Sequence, residues 1–307
     1  MVGREGVVLS RTGGRYLVYC EGEVVEASLR GRMKQRDELS VLVGDRVALA
    51  GSGEVDKAGD LTIEQILPRH SVLQRRSPGR GRGVRTVAAN VDQVVIVGAA
   101  RDPVWDPYLI DRFTAIAEAN QLPSVLVINK VDLDPDAARH GTPYEAAGYP
   151  VILTSVLTQV GIDGLWTRLH DTMSLFMGPT GVGKSSLLNA LVPGLTLRTA
   201  AVSSKSRAGR HTTVSAEMHA LGGSGFVVDT PGLRDVGLWG LEPQEVAAAF
   251  PEFRDCVGRC RFDNCRHVSE PSCVVRDAVD LGELSRSRYD SYCRLLAEVD
   301  DASRPWA

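Results

Sequence analysis

The sequence predicts a multidomain α/β protein in three parts, and three observations carry that prediction. Five β-rich runs separated by turn residues occupy the chain up to Leu67, with no helical period among them. Apolar strands and helical stretches then alternate from Val94 onward, and one strand–loop–helix unit has the pattern Gly-x-x-x-x-Gly-Lys-Ser at 178–185. Three cysteines and a histidine crowd together between Cys260 and Cys273. The expected architecture is an N-terminal five-stranded β-barrel of the oligonucleotide/oligosaccharide-binding (OB) kind over 1–70, a central nucleotide-binding α/β domain over 71–240, and a C-terminal helical zinc-binding domain over 241–307.

A length of 307 residues suits two or three domains, and 43% hydrophobic content argues that they fold. A net charge of -3 excludes a whole-chain polycation, although it averages over local patches and leaves nucleic acid open as a partner. The start, Met1-Val2-Gly3-Arg4-Glu5, has no signal-peptide pattern, and apolar runs such as Val94 to Val97 are too short for a membrane span. No membrane partner is expected, and the expected compartment is the cytoplasm. In that reducing setting the crowded cysteines point to metal, while Cys20, Cys256 and Cys293 read as packing residues.

The barrel strands are expected at Gly6 to Leu9, Tyr16 to Cys20, Val24 to Leu29, Asp45 to Ala50 and Leu61 to Leu67. An SH3-like barrel is the alternative arrangement. The barrel surface could carry Arg11, Arg15, Arg30, Arg32, Lys34 and Arg36, a set that fits either RNA phosphates or a solvated face. Arg75 to Arg85, rich in arginine and glycine, has little to bury and reads as a mobile loop or linker.

In the α/β region, Val94 to Val97 reads as a buried strand, Tyr108 to Asn120 as a helix, and Ser124 to Ile128 as a second strand ending at Asn129-Lys130-Val131-Asp132. The Asp132 carboxylate can accept both the ring N–H and the exocyclic amine of guanine, a donor pair that adenine does not present together. Asn129 is suited to holding this loop, and the Lys130 stem to lying along the ring. Strand Val151 to Leu153 ends at Thr154-Ser155, where the backbone can meet the guanine carbonyl; helical sequence follows from Ile162.

The strand Ser174 to Met177 leads into Gly178-Pro179-Thr180-Gly181-Val182-Gly183-Lys184-Ser185-Ser186, and helical sequence continues to Leu191. Backbone amides and the helix N-terminus converge on a phosphate chain in such a unit. Lys184 is placed to reach the β- and γ-phosphates, and Ser185 to ligate magnesium. Beyond it, polar Ser203 to Thr213 reads as a switch segment in which Thr212 or Thr213 could cap magnesium. A hairpin from Ser215 to Val228 then delivers Asp229-Thr230-Pro231-Gly232, with Asp229 toward magnesium through water and the Gly232 amide toward the γ-phosphate.

The guanine-reading loop precedes the phosphate loop, the reverse of an ordinary GTPase. A circularly permuted sheet assembles the same site. Its last strand then leads directly into the C-terminal segment, where Cys260, Cys265, His267 and Cys273 follow the spacing Cys-x4-Cys-x-His-x5-Cys. Three thiolates and one imidazole complete a tetrahedral zinc shell with no open position, hence one structural zinc per chain. Helical sequence is expected around it at Pro243 to Phe250 and Ser287 to Glu298.

Taken together, these parts resemble the RsgA family of circularly permuted, small-subunit-dependent GTPases over essentially the whole chain. The resemblance rests on Ala89-Asn90-Val91-Asp92-Gln93, Asn129-Lys130-Val131-Asp132, Gly181-Val182-Gly183-Lys184-Ser185-Ser186-Leu187, Gly209-Arg210-His211-Thr212-Thr213, Asp229-Thr230-Pro231-Gly232 and the cysteine–histidine cluster. It implies GTP hydrolysis to GDP on the small ribosomal subunit late in its maturation, with the barrel touching ribosomal RNA. Thr180 stands where the family commonly has Ser, and Thr154-Ser155-Val156 is less typical than Ser-Ala.

Many GTPases place a water-orienting glutamine directly after the glycine of Asp-x-x-Gly; here that residue is Leu233. His211, beside the threonines of the switch, is the nearest substitute in sequence. A monomer is expected. Two other classes fit parts of the pattern: an ATP-dependent kinase or ATPase, against which Asn129 to Asp132 argue, and an RNA-binding module with a structural or regulatory guanine nucleotide.

Overall fold

The computed structural model describes residues 4–30, 40–50, 61–76, 84–192, 194–195, 217–222, 224–229 and 241–303. The chain divides into two compact units. One holds Met1–Gln93, Trp166–Phe176 and Leu188–Asp235; the other holds Val94–Leu165, Met177–Leu187 and Val236–Ala307.

In the first unit, β1 (Arg4–Thr12), β2 (Arg15–Cys20), β3 (Glu23–Leu29), β4 (Arg46–Leu49) and β5 (Leu61–Ile66) close a barrel in the order β1-β2-β3-β5-β4. Only the β3–β5 pairing is parallel, while the other four are antiparallel. This is the expected OB arrangement. Side chains alternate as a half-buried strand requires: on β2, Tyr16, Val18 and Cys20 point inward while Arg15 and Leu17 are exposed. Val8, Tyr16, Val18, Ala27, Val47, Leu49 and Ile63 fill the interior. Burying each large apolar side chain there stabilises the barrel by about 1.5–3 kcal/mol. Outside, Arg15 pairs with Glu26 at 3.2 Å, Arg30 pairs with Glu64, and Arg11 lies over the Tyr16 ring. Arg32, Lys34 and Arg36 lie outside the described residues.

The expected loop from Arg75 to Arg85 needs correction at both ends. β6 (Val72–Arg76) pairs antiparallel with β7 (Val84–Ala89), so that Arg75 faces Arg85 and Arg76 faces Val84. Leu73 and Ala88, opposite one another and fully buried, anchor the ladder. Backbone pairing then runs on past them into arginines, because the ladder is made by peptide groups whatever the side chains carry. The central residues 77–83 lie outside the described set.

After the hairpin, Asn90 donates to the Gly44 carbonyl (2.9 Å) and accepts the His70 amide (3.0 Å), while Asp92 accepts the Met173 amide (2.7 Å). These contacts give the Ala89–Gln93 motif a physical role in fastening the barrel to the strand that precedes the phosphate loop.

In the second unit, β8 (Gln93–Ala99), β9 (Ser124–Asn129) and β10 (Val151–Leu153) run parallel, with β9 central. Every residue of β8 and β9 is buried, which is why both read as continuous apolar runs. Between them, α1 (Pro107–Ala119) starts at Asp106, whose carboxylate accepts the Tyr108 amide at 3.0 Å, with proline at the first helical position. The short α2 (Thr142–Ala146) follows β9, and α3 (Ile162–Leu169) follows β10. β11 (Met173–Met177) leads into the phosphate loop and α4 (Lys184–Leu191). In the first unit, β11 runs parallel to β13 (Phe226–Asp229), which forms a hairpin with β12 (Glu217–Ala220).

At the C-terminal end are α5 (Val274–Asp280) and α6 (Arg286–Ser303). The helix expected at Pro243 to Phe250 is instead a run of turns, with three-residue hydrogen bonds from Glu245 to Glu242, Ala249 to Val246 and Phe250 to Ala247, and with one four-residue bond, from Ala249 to Glu245. Pro251 disfavours helical backbone at Phe250 and ends the segment there. Phe250 and Phe253 stack at 5.4 Å, and the Tyr292 ring meets both edge-on. Beside them, fully buried Arg288 donates to Asp111 of α1 (2.7 Å) and to both Glu252 oxygens (2.7 and 3.0 Å). Burial opposes its charge, but these carboxylates hold Arg288 protonated. Among the described residues, no helix is long and apolar enough to cross a membrane.

Candidate nucleotide and metal sites

The phosphate loop owes its course to glycines that no other residue could replace. Gly178 has φ +145°, and a Cβ there would lie 2.2 Å from the Val97 carbonyl oxygen; Gly183 has φ +99°, and its Cβ would lie 2.3 Å from Asn129 Nδ2. Removing the side chains lets the loop fold closely against the ends of β8 and β9. Lys184 and Ser185 then open α4, with Ser186 behind them, at the helix terminus where amide hydrogens point outward. The Lys184 ammonium sits on the Gly178 and Pro179 carbonyls at 2.6 and 2.7 Å, within the arc that a phosphate chain would follow. Thr180 and Gly181 form the exposed crest of the loop, between half-buried Pro179 and buried Val182.

The base-reading loop meets this arc in the same unit. Asn129 is buried; its amide donates to the Val182 carbonyl (2.9 Å), and its oxygen accepts from Thr154 Oγ1 (3.1 Å). One side chain thereby joins three loops expected to surround one nucleotide. Lys130, in left-handed conformation at φ +59°, donates to the Gly181 carbonyl at 2.8 Å. Asp132 is exposed and accepts from Ser155 Oγ at 2.5 Å, so a buried hydroxyl orients a carboxylate that faces solvent. Asp132 thus stands where a base can reach it. Asp229 ends β13 as expected, though its side chain is not among those described. His211, Thr212, Thr213 and Gly232 lie outside the described residues.

The cysteine–histidine cluster also assembles. Ligand atoms of Cys260, Cys265, His267 and Cys273 lie within 4.8 Å of one another, with His267 Nδ1 3.6 Å from the Cys260 sulfur and 3.4 Å from that of Cys273. Burial, with the neighbouring thiols adding to it, pushes Cys265 up to about 12. Burial likewise raises Cys273, so these two thiols resist ionising by themselves, whereas a divalent cation would favour their thiolate forms, and three sulfurs with one imidazole nitrogen match zinc. The backbone around the donors is fixed from α6: Tyr289 donates to the His267 carbonyl (2.8 Å) and Tyr292 to that of Arg266 (2.5 Å). His267 itself is left-handed at φ +59°, which turns its ring back toward the sulfurs.

Sequence reasoning did not place Asn129 against Val182, nor the segment Arg101–Asp106 beside the same loops. The first partner is 53 residues away in the chain, so no local pattern points to it. Asp102-Pro103 and Asp106-Pro107 are local signals for no more than a turn and a helix start, so they do not point to the nucleotide loops.

The RsgA GTPase family profile matches residues 66–239, more than half of the chain. The chain belongs to the RsgA GTPase family. A relative from Gemmatimonas aurantiaca, called small ribosomal subunit biogenesis GTPase RsgA, is 50% identical over 299 residues, covering 96% of this chain and 97% of its own. Another of the same name from Moorella thermoacetica is 42% identical over 297 residues, with the same coverage. The crystal structure of YjeQ from Thermotoga maritima matches with a TM-score of 0.79 at 37% identity, over 98% of this chain and 99% of that one. YloQ, a circularly permuted GTPase, matches at 0.75 and 30%, over 99% and 97%. Members of the family are GTPases, so this chain is a GTP hydrolase whose nucleotides are GTP and GDP with Mg2+. Its fold class is an N-terminal OB barrel, a circularly permuted P-loop GTPase domain and a C-terminal region whose Cys3His set is compatible with zinc.

Proposed function

We propose that this GTPase acts on the small ribosomal subunit during late maturation, in the cytoplasm, and hydrolyses GTP when the subunit stimulates it. The observation that carries the guanine site is the Asn129 bridge, which brings the base-reading loop and the phosphate loop together at hydrogen-bond distance. The subunit as partner is supported by the name borne by relatives at 50% and 42% identity over nearly the whole chain.

In this reading, Asp132 accepts two guanine donors, with Ser155 holding the carboxylate in plane. Asn129 and Thr154 keep its loop against Val182, and Lys130 covers the ring. The residues from Gly178 to Ser186 cradle the phosphates, and Lys184 exchanges its two carbonyl partners for phosphate oxygens. Ser185, Asp229 through water, and Thr212 or Thr213 would hold Mg2+, which neutralises charge building on the β- and γ-phosphates. The Gly232 amide contacts the γ-phosphate. His211, as neutral imidazole, accepts a hydrogen bond from the attacking water once the switch closes, which leaves intrinsic turnover slow. One zinc per chain, on Cys260, Cys265, His267 and Cys273, stabilises the C-terminal domain. The barrel meets ribosomal RNA, and the boundaries at 70 and 240 separate the three working parts.

GTP turnover measured with and without small subunits tests the proposal. Stimulation is expected, together with competition by GDP and none by ATP. His211→Ala should keep GTP affinity and subunit binding yet lose roughly tenfold to a thousandfold of the stimulated rate. Full stimulated turnover in that variant transfers the water-orienting role to another group.

A further inference from the structure

Between β8 and α1 runs the segment Arg101–Asp106, which touches both nucleotide loops. The Asp102 carbonyl accepts from the Lys130 ammonium, the same group that donates to Gly181 at 2.8 Å. Asp102 is left-handed at φ +51°, a conformation that orients its carbonyl and that non-glycine residues seldom adopt without compensation. Pro103 comes within 3.7 Å of the Cβ position of Gly181, at the crest of the phosphate loop. At the other margin, Arg101 donates to the Leu133 carbonyl (3.4 Å), one residue beyond Asp132.

Burial of its tip does not hold this segment, since Val104 is 86% exposed. Two anchors do. Asp106 caps α1, and Trp105 is clamped by its surroundings: its ring stacks on His140 at 4.7 Å, meets Tyr144 edge-on at 6.2 Å, and covers Gly98 so closely that a Cβ there would lie 2.5 Å from the ring. Lys130 is therefore held from two sides, by the phosphate loop and by a segment whose course Trp105 sets.

We propose that Arg101–Asp106 is a positioning element for guanine-nucleotide binding, pinned by Trp105 on Gly98 and acting through the Asp102 carbonyl on Lys130 and through Pro103 on Gly181. The inference rests on the guanine site as read above. With the pin removed, Lys130 keeps one carbonyl partner instead of two, and the base and phosphate loops lose their common brace. Preorganisation of this kind governs how tightly the nucleotide is held more than the chemistry that follows.

The test compares Trp105→Ala, Trp105→Phe and Gly98→Ala with the unaltered protein, using a fluorescent GDP analogue for affinity, GTP turnover for KM and kcat, and thermal melting for folding. Trp105→Ala should weaken GDP binding and raise KM roughly tenfold while kcat at saturating GTP stays within about twofold. Trp105→Phe, which keeps a ring on Gly98, should restore most of the affinity. Gly98→Ala displaces the ring without deleting it and should copy Trp105→Ala, so the idea stays testable even if Trp105→Ala does not fold. GDP affinity unchanged in folded Trp105→Ala or Gly98→Ala overturns the proposal and leaves Trp105 a packing residue. A fall in kcat with affinity intact overturns it equally. Asp132→Asn, run alongside, separates the two readings: loss of GTP binding there with none in the Trp105 and Gly98 variants rejects the brace alone, whereas no loss at Asp132 rejects the guanine site itself.

Discussion

The nucleotide loops and the cysteine–histidine cluster lie in one compact unit, yet they satisfy their polar atoms in opposite ways. In the loops each key side chain has a partner within the protein: Lys184 on two carbonyls, Lys130 on Gly181, Asp132 on Ser155, and Asn129 on Val182 and Thr154. A nucleotide entering there, as proposed, would exchange one hydrogen bond for another, which suits a ligand that must come and go. In the cluster the donors face one another, three of them thiols that repel when ionised, and Cys265 is pushed up to about 12 chiefly by burial. A cation bound there would count as a component of the fold, since its binding free energy would be folding free energy.

The sharpest way to break this contrast is to treat both sites alike and ask whether stability or affinity responds. Cys265→Ser should release the zinc and cost the C-terminal region more than about 4 kcal/mol, seen as loss of metal by elemental analysis and a lower melting transition, with GDP affinity little changed. Zinc retained at full occupancy would remove Cys265 from the shell. Asp132→Asn should do the reverse: GTP binds on the order of 100-fold more weakly, about 2.7 kcal/mol, while xanthosine triphosphate gains and the melting temperature holds. Asn129→Ala belongs to both classes, because it removes a base-loop residue and leaves the buried Val182 carbonyl unpaired; we expect about 1–3 kcal/mol of stability lost alongside weaker GDP binding. Arg254→Ala deletes a surface pair with Glu118, where the arginine side chain is 56% exposed, and should change stability by no more than about 1 kcal/mol and nucleotide affinity not at all.

What could be read from the sequence follows the same division. The Gly-x-x-x-x-Gly-Lys-Ser loop, the Asn-Lys-x-Asp loop and the Cys-x4-Cys-x-His-x5-Cys spacing are local patterns, the longest running only from Cys260 to Cys273, and the barrel strands declare themselves by alternation. The partners of those motifs were hidden. Arg288 finds Asp111 across 177 residues, and nothing in the surrounding Ser-Arg-Ser-Arg-Tyr sequence marks that arginine for the interior. The Arg75–Arg85 stretch misled because composition speaks for side chains, whereas the β6–β7 ladder is made by peptide groups and carried by Leu73 and Ala88. Pro243 to Phe250 has helical spacing, but Pro251 and three-residue hydrogen bonds turn it into successive tight turns.

Closure of the N-terminal barrel through β1–β4 and β3–β5 bears on how a partner can hold it. An open sheet offers a row of unpaired amides and carbonyls onto which a foreign strand can zip, whatever its sequence. A ring of five paired strands withholds that row along its closing stretches, Arg4–Val7 of β1 and Ala27–Leu29 of β3. Along those stretches a partner meets side chains instead of free peptide groups, so recognition there is written in residues that can be changed one at a time without opening the ring.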